Sequence, residues 1–247
     1  MSKIPLFVSS ATVAAKSALG STITIDGNPF DTRGKSIRVL SSAIWYVFPN
    51  VTDAYQNTTI KFVYNSLTHT IELQKGLYAI DDIEETIKEY CENFGLLPSD
   101  LISLIADEAT NKITLKIKTS LLFSMDFEDA DNKLFKEYLG FTGNISCSSL
   151  KNFDGTNIAT LNVNNSIYIH CSFANGAYYN GNSGSNVIAV AHINVAPSKL
   201  MITADANPSE SSCVSGNISR YQLWLTNERG QLLDMNGEDW SVALEIF

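Results

Sequence analysis

Apolar and polar residues alternate along the last stretch of the sequence. In residues 240–247 every second residue is large and apolar: Trp240, Val242, Leu244 and Ile246. Residues 221–225 show the same two-residue period, which is typical of a β-strand with one buried face because successive side chains point to opposite sides. The connection, residues 226–239, is rich in Asn, Asp and Gly, which favour turns. We therefore predict an antiparallel hairpin here, and we expect its last strand to be paired on both sides.

Short alternating runs separated by Gly, Asn and Pro recur through most of the chain, which favours a β-sandwich or jelly roll. Residues 60–143 break this pattern and follow a β-β-α-β-β-α order. We predict a mainly β protein, a single jelly-roll β-sandwich with an inserted α+β subdomain. Its parts are an N-terminal arm at 1–20, the jelly roll at 21–59 and 144–247, and the insertion at 60–143.

One segment of the insertion predicts an amphipathic helix over residues 82–94. Its apolar residues recur at helical spacing: Ile83, Ile87, Tyr90, Cys91 and Phe94. Asp81 is placed to cap the N-terminus, Glu84 to complete a capping box, and Gly95 to end the helix. A second, shorter helix is predicted over residues 133–139.

The chain of 247 residues carries a net charge of −9, and only 17% of its residues are charged. No basic stripe is available to neutralise phosphates, so we expect no direct nucleic-acid binding. No secretory leader and no apolar run long enough to span a membrane is evident. The four cysteines have no metal-binding spacing: Cys91, Cys147, Cys171 and Cys213. We expect free thiols in a protein made in the cytoplasm or nucleus and not secreted.

Candidate chemistry is sparse. The three histidines, His69, His170 and His192, lie far apart, and no known nucleophile or phosphate-binding motif is present. The acidic run at 126–131 fits either a calcium site or a cap of the following helix, and the cap is favoured. The acidic residues near Gly237 fit either a catalytic carboxylate pair or a turn: Asp234, Glu238 and Asp239. We predict no catalytic, cofactor-binding or metal-binding residues, and therefore no enzyme.

Aromatic residues raise one alternative. Tyr178 and Tyr179 lie in the Gly- and Asn-rich segment 174–186, which we expect to be an exposed contact loop. Sugars stack on exposed aromatic rings, so a lectin-like or host-attachment protein that binds a glycan is the second hypothesis. Trp45 and Trp240 lie within alternating runs, and we expect both in the core. Five glycosylation sequons are interpreted as chance products of composition: Asn50, Asn57, Asn144, Asn164 and Asn217.

Four stretches are distinctive when taken in order. They are "SIRVLSSAIWYVFPNV" (36–51), "HTIELQKGLYAIDDIEETIKEY" (69–90), "FKEYLGF" (135–141) and "YQLWLTNERGQLLDMNGEDWSVALEIF" (221–247). Each resembles, in the same order, a segment of the penton (minor capsid) proteins of virophages and of Polinton-like or adintovirus-like DNA viruses. The first is similar to an "(A/S)xIWNxxPNI" strand and the second to a "GxYxIDDLNxxI" strand-to-helix segment. The sequence departs from that pattern at Tyr46, where Asn is common, and in "IEETI".

The resemblance implies a structural capsid protein with one jelly roll. It implies assembly as a homopentamer at the five-fold vertices of an icosahedral virion, where the major capsid protein of the same virus would be its neighbour. It implies no catalytic residue.

Overall fold

The computed structural model describes residues 3–13, 15–95, 98–107, 109–161, 164–175, 177–179, 182–204, 206 and 208–247, without the side chains of 177–179 and 182–185. The chain divides into two compact units. Unit 1 combines Met1–Phe48 with Asn164–Phe247, and unit 2 is Pro49–Val163.

The strands of these described residues, in chain order, are β1 (Ile4–Ser9), β2 (Ala15–Lys16), β3 (Thr22–Asp31), β4 (Ser36–Trp45), β5 (Thr59–Tyr64), β6 (Leu67–Glu72), β7 (Ile102–Asp107), β8 (Lys112–Ile117), β9 (Phe123–Asp126), β10 (Asn144–Cys147), β11 (Lys151–Asp154), β12 (Ser166–Cys171), β13 (Ala174–Asn175), β14 (Ala177–Tyr179), β15 (Asn182–Ser185), β16 (Val187–His192), β17 (Leu200–Ala204), β18 (Glu210–Cys213), β19 (Asn217–Thr226) and β20 (Ser241–Ile246). Helix α1 spans Ile80–Phe94. Short 3₁₀ turns lie at Asp53–Tyr55 and Ala130–Asn132, and a π-helical turn lies at Leu134–Tyr138.

Unit 1 is a sandwich of two antiparallel sheets. Sheet A has the order β1-β20-β4-β18-β13, with β17 also paired to β4, and sheet B has the order β16-β12-β19-β3-β2. Both sheets contribute side chains to one core, for example Ile37, Val242 and Leu244 from sheet A and Ile169 and Leu223 from sheet B. The predicted mainly β, jelly-roll fold with an inserted α+β subdomain is confirmed.

The two C-terminal strands do not form the predicted hairpin. β19 pairs with β3 and β12 in sheet B, whereas β20 pairs with β1 and β4 in sheet A. Alternation shows which face of a strand is buried but not which strand is its partner, and the long connection allows the chain to change sheets. The predicted pairing of the last strand on both sides is confirmed, and Trp240 and Ile246 are buried as expected.

The segment predicted as an extended N-terminal arm, residues 1–20, contains two paired strands. β1 pairs along its length with β20, and β2 pairs with β3. The outward-facing residues of β1 include Pro5 and Phe7, which are apolar. They conceal the two-residue period that would otherwise have marked this strand.

Unit 2 spans more of the sequence than the insertion predicted at 60–143. It contains the sheets β10-β9-β5-β6 and β11-β8-β7, together with α1. β10 and β11 follow residue 143 but pair with β9 and β8 of this unit, so its C-terminal boundary lies beyond the predicted one. The β5–β6 hairpin turns at Asn65 and Ser66, both with positive φ, as two-residue hairpin turns require.

Helix α1 begins two residues before the predicted start. Its N-cap is Ala79, whose N–H donates to the Asp82 carboxylate over 2.7 Å, and Asp82 therefore takes the role expected of Glu84. Gly95 ends the helix at a φ of 70°, as predicted. The buried face consists of Ile83, Ile87 and Cys91, each with no exposed surface.

Candidate functional site

The predicted contact residues Tyr178 and Tyr179 lie on β14. The segment expected to be a loop contains short strands instead, and Tyr179 pairs with Asn182 of β15 through the backbone. The two tyrosine side chains lie outside the described part of the structure. Their contact role therefore stays a prediction.

The histidines sit in unrelated environments. In unit 1, His170 Nε2 lies 2.8 Å from the Thr226 hydroxyl oxygen, and its ring stacks on Trp224 with centroids 4.9 Å apart. Burial lowers the pKa of His170 to about 4, so this imidazole is neutral at pH 7. His192 Nδ1 lies 2.8 Å from the Ser166 hydroxyl. These contacts hold the rings within their own sheet and present no shared ligand set.

His69 is buried in unit 2 among aromatic rings. Phe62 and Phe94 lie 5.2 and 4.7 Å from it, measured between ring centroids, and its Nδ1 is 3.4 Å from the Tyr90 hydroxyl. Its Nε2 has no hydrogen-bond partner in the described part of the chain. Burial lowers the pKa of this imidazole because it disfavours the charged form.

Lys61 forms ion pairs with two carboxylates of the acidic run at 126–131. Lys61 Nζ lies 2.9 Å from Asp129 and 3.3 Å from Asp131, and its hydrogen bond is the largest cause of the lowered pKa of Asp129. Asp129 also caps the Ala130–Asn132 turn, accepting from the Asp131 N–H. The helix predicted at 133–139 is a π-helical turn at Leu134–Tyr138, and the Asp129 cap belongs to the 3₁₀ turn that precedes it. Across the described ranges, no group of three His, Cys, Asp or Glu residues is arranged to hold a metal.

The carboxylates near Gly237 stabilise turns and ion pairs. Asp239 accepts from Lys16 Nζ and from the Ser10 hydroxyl, each over 2.7 Å, and the contact with Lys16 is the largest cause of its lowered pKa. Asp234 accepts from the Asn236 N–H over 2.9 Å. Asp239 thus ties the chain between β1 and β2 to the approach of β20.

Buried asparagines are the structural residues that the sequence reasoning missed. Asn50 Oδ1 accepts from the Tyr78 N–H, and its Nδ2 donates to the Tyr78 and Leu161 carbonyls. Asn57 Nδ2 donates to the Asn50 carbonyl over 2.8 Å. A buried amide must satisfy its donors and acceptors, and these bonds hold three distant segments of unit 2 together. Asn50 and Asn57 are also predicted sequons, and their burial agrees with the chance interpretation.

A row of alternating charges crosses the outer face of sheet A. Glu245 on β20 lies 3.2 Å from Lys3 Nζ and 2.5 Å from an Arg38 guanidinium nitrogen, and Arg38 on β4 lies 3.5 Å from Glu210 on β18. The Arg38 contact is the largest cause of the lowered pKa of Glu245. The two inner residues of the row, Arg38 and Glu245, are largely shielded from solvent. The side chains at the two ends are more exposed, by 60% for Lys3 and 52% for Glu210.

Apolar side chains stand out on the same face. Phe7 is 81% exposed and Ile202 is 68% exposed. They border a groove of about 330 Å³ floored by small residues, including Ser41, Ala43 and Ala243. Trp45, predicted as core, is half-buried next to the fully buried Ile44, so the register places it outward.

A cavity of about 660 Å³ opens beside β16. It arises where sheet A is interrupted: Ala204 of β17 pairs with Ser41, and Glu210 of β18 pairs with Arg38. On this side of β4 the ladder therefore stops between Ser41 and Arg38, and the sheet opens there. The cavity floor includes the buried side chains of Val39, Ile169 and Ile188.

The described residues thus offer exposed apolar side chains, a charge row and an open cavity on unit 1. No helix among them is both long and apolar enough to cross a bilayer. No protein-family model matches the sequence, and no curated protein matches it significantly.

Two solved structures have a similar fold over essentially the whole chain. The mavirus penton protein is 11% identical with a TM-score of 0.55, and the alignment covers 100% of this chain and 99% of that one. A chain of the Sputnik virophage structure is 10% identical with a TM-score of 0.54, covering 99% and 97%. The predicted resemblance to virophage penton proteins is therefore shown at the level of the fold.

Proposed function

We propose that this protein is a structural component of a virion, a penton that forms homopentamers at the five-fold vertices of an icosahedral capsid. The observation that carries the proposal is the end-to-end likeness to the mavirus penton protein. The likeness includes both units, because the alignment covers 100% of this chain. A jelly roll by itself hosts many functions, so full coverage is more informative than the sandwich alone.

The chemistry of the described residues supports a structural role. His170 and His192 are held by neighbours of their own sheet, and clustered carboxylates of both units contact lysines. Exposed apolar side chains and an open cavity lie on unit 1. Such surfaces are typical of proteins that associate. We propose that the major capsid protein of the same virus is the second partner, and that the protein has no enzymatic activity.

The oligomeric state of the purified protein tests this proposal. Native mass spectrometry should show a species five times the 27.1 kDa chain, and negative-stain images should show five-fold rings. Co-expression with the major capsid protein should then yield particles with rings at their vertices. A chain that stays monomeric at every concentration, and that is absent from those particles, would contradict the proposal.

The glycan-binding alternative remains a separate prediction, because it depends on the side chains of Tyr178 and Tyr179. A glycan array probed with the wild type and with a Tyr178→Ala, Tyr179→Ala double variant distinguishes it. Binding by the wild type that the double variant loses would support the alternative. No binding by either protein would remove it.

A further inference from the structure

A cyclic homopentamer needs two different complementary patches on every subunit, because each subunit contacts one neighbour with one patch and the other neighbour with another. Unit 1 carries such a pair. We define the β1 patch as Lys3 and Phe7, and the open-edge cavity as the 660 Å³ cavity beside β16 with Glu210 at its rim. We propose that the β1 patch of one copy docks onto the open-edge cavity of the next copy. This inference rests on the proposed function.

Charge complementarity identifies a second copy of this chain as the occupant. The row Lys3–Glu245–Arg38–Glu210 alternates in sign, and its exposed ends are a cation just before β1 and an anion on β18. When Lys3 of one copy faces Glu210 of the next, the alternation continues across the interface. A two-fold contact between two β1 patches would instead bring lysine against lysine. The row therefore favours a head-to-tail contact.

The apolar parts of the two patches are also complementary. Lys3, just before β1, contacts Glu245 on the outer face of sheet A, and Phe7 exposes 81% of its surface on that same face. The cavity has an apolar floor formed by core residues, including Val39 and Ile188. The Phe7 ring lies on one side of the sandwich and the apolar cavity on another, so the ring can enter only the cavity of a second copy.

The edge strands support the same direction of docking. β1 carries Pro5, and Lys3 precedes it, and both features discourage pairing with another strand. β16 and β17 border the opening and contain neither a proline nor an acidic or basic residue apart from His192. The strands β16 and β17 thus lack the features that discourage strand pairing at β1, which presents side chains rather than backbone.

Two variants test the pairing, each of which removes one patch. Phe7→Asp removes the ring and adds a charge that repels Glu210. Ala204→Arg places a cation at the cavity mouth, where it repels Lys3 and obstructs entry. Both positions are exposed, so both variants should keep the wild-type melting temperature. Val214→Asp is the matched control, because Val214 is exposed on unit 1 and does not line the cavity.

Native mass spectrometry should show pentamers for the wild type and for Val214→Asp, and monomers for each patch variant alone. A mixture of Phe7→Asp and Ala204→Arg should give 1:1 dimers. The Phe7→Asp protein keeps an intact cavity, and the Ala204→Arg protein keeps the Phe7 ring that enters it. A misfolded variant could not complement in this way.

Pentamers that persist in either patch variant would overturn the inference while leaving the proposed function intact, and so would a mixture of folded variants that forms no dimer. Loss of pentamers in Val214→Asp would also overturn it, because the effect would not be specific to the two patches. A monomeric wild type would instead count against the homopentamer itself.

Discussion

His170 shows how a titratable side chain is kept in the core of unit 1. Its ring lies flat on Trp224 and contacts the Thr226 hydroxyl, and the residue is 8% exposed. Burial disfavours the imidazolium, so the folded state binds a proton less readily than the unfolded chain, whose histidines titrate near 6.5. Protonation of His170 therefore lowers the stability of the folded sandwich.

We expect unit 1 to lose stability as the pH falls from about 6.5 to about 4. The pKa of His170 is about 4 in the folded state, so its contribution is complete above the unfolded pKa and is lost as the pH falls through this window. The loss is at most about 3 kcal/mol. All three tryptophans, Trp45, Trp224 and Trp240, lie in unit 1. Tryptophan fluorescence during urea unfolding therefore measures this unit alone.

His170→Gln removes the titration and can keep a polar contact with Thr226. The free energy of unfolding of this variant should depend less on pH between 6.5 and 4.5 than that of the wild type. An unchanged slope would mean that other groups carry the acid sensitivity.

At the scale of elements, β20 and α1 are stabilised in different ways. β20 lies between β1 and β4 and contributes Val242, Leu244 and Ile246 to the core of unit 1. α1 is an amphipathic helix that buries one side in the core of unit 2 and leaves the other in solvent. Removing β20 breaks two ladders at once, whereas a change in α1 acts through packing alone.

Truncation after Asp239 should abolish folding of unit 1. It removes four large buried side chains, Trp240, Val242, Leu244 and Ile246, each contributing roughly 1.5–3 kcal/mol of transfer free energy. It also leaves backbone groups of β1 and β4 without partners. Total stabilities are on the order of 5–15 kcal/mol, so the loss exceeds what the unit can tolerate. Tryptophan fluorescence and solubility report the outcome. Deletion of Phe247 alone is the control and should leave a folded protein, and a folded, monodisperse truncated chain would show that β20 is dispensable.

Ile87→Asp should destabilise unit 2 by several kcal/mol, because it places a carboxylate without a partner at a position with no exposed surface. Asn93→Asp introduces the same residue at an exposed position of α1 and should cost only a few tenths of a kcal/mol. Thermal unfolding followed by circular dichroism compares the two. Equal melting temperatures would contradict the packing of α1 on its sheet.

At the scale of the whole molecule, the chain builds two separate cores. The core of unit 1 draws on residues from both ends of the sequence, while the core of unit 2 is formed within one continuous segment. Buried amides such as Asn50 and Asn132 close the second segment on itself through backbone contacts.

We predict that residues 49–163 fold when expressed alone, because the segment forms a compact unit with a hydrophobic core of its own. The fragment should unfold cooperatively in urea and show dispersed amide resonances. An unfolded fragment would mean that unit 2 depends on unit 1 for its stability. The fragment contains no tryptophan, so tyrosine absorbance or circular dichroism serves as the probe.

The sequence by itself determined those features that depend on local period and local backbone conformation. The buried face of β20, the buried face of α1 and the end of α1 at Gly95 all follow from neighbouring residues. The jelly-roll class followed as well, because many short alternating runs leave few other architectures. The predicted contact pair, Tyr178 and Tyr179, came from composition alone, and its role is untested.

Only the tertiary structure decided which strands become partners. Alternation is the same whether β20 joins β19 or β4, because a strand's period records its burial and not its neighbour. The charge row from Lys3 to Glu210, the opening between β17 and β18, and the buried asparagines bring together residues that are distant in sequence. No local pattern marks such residues, since each acquires its role only when the sheets have formed.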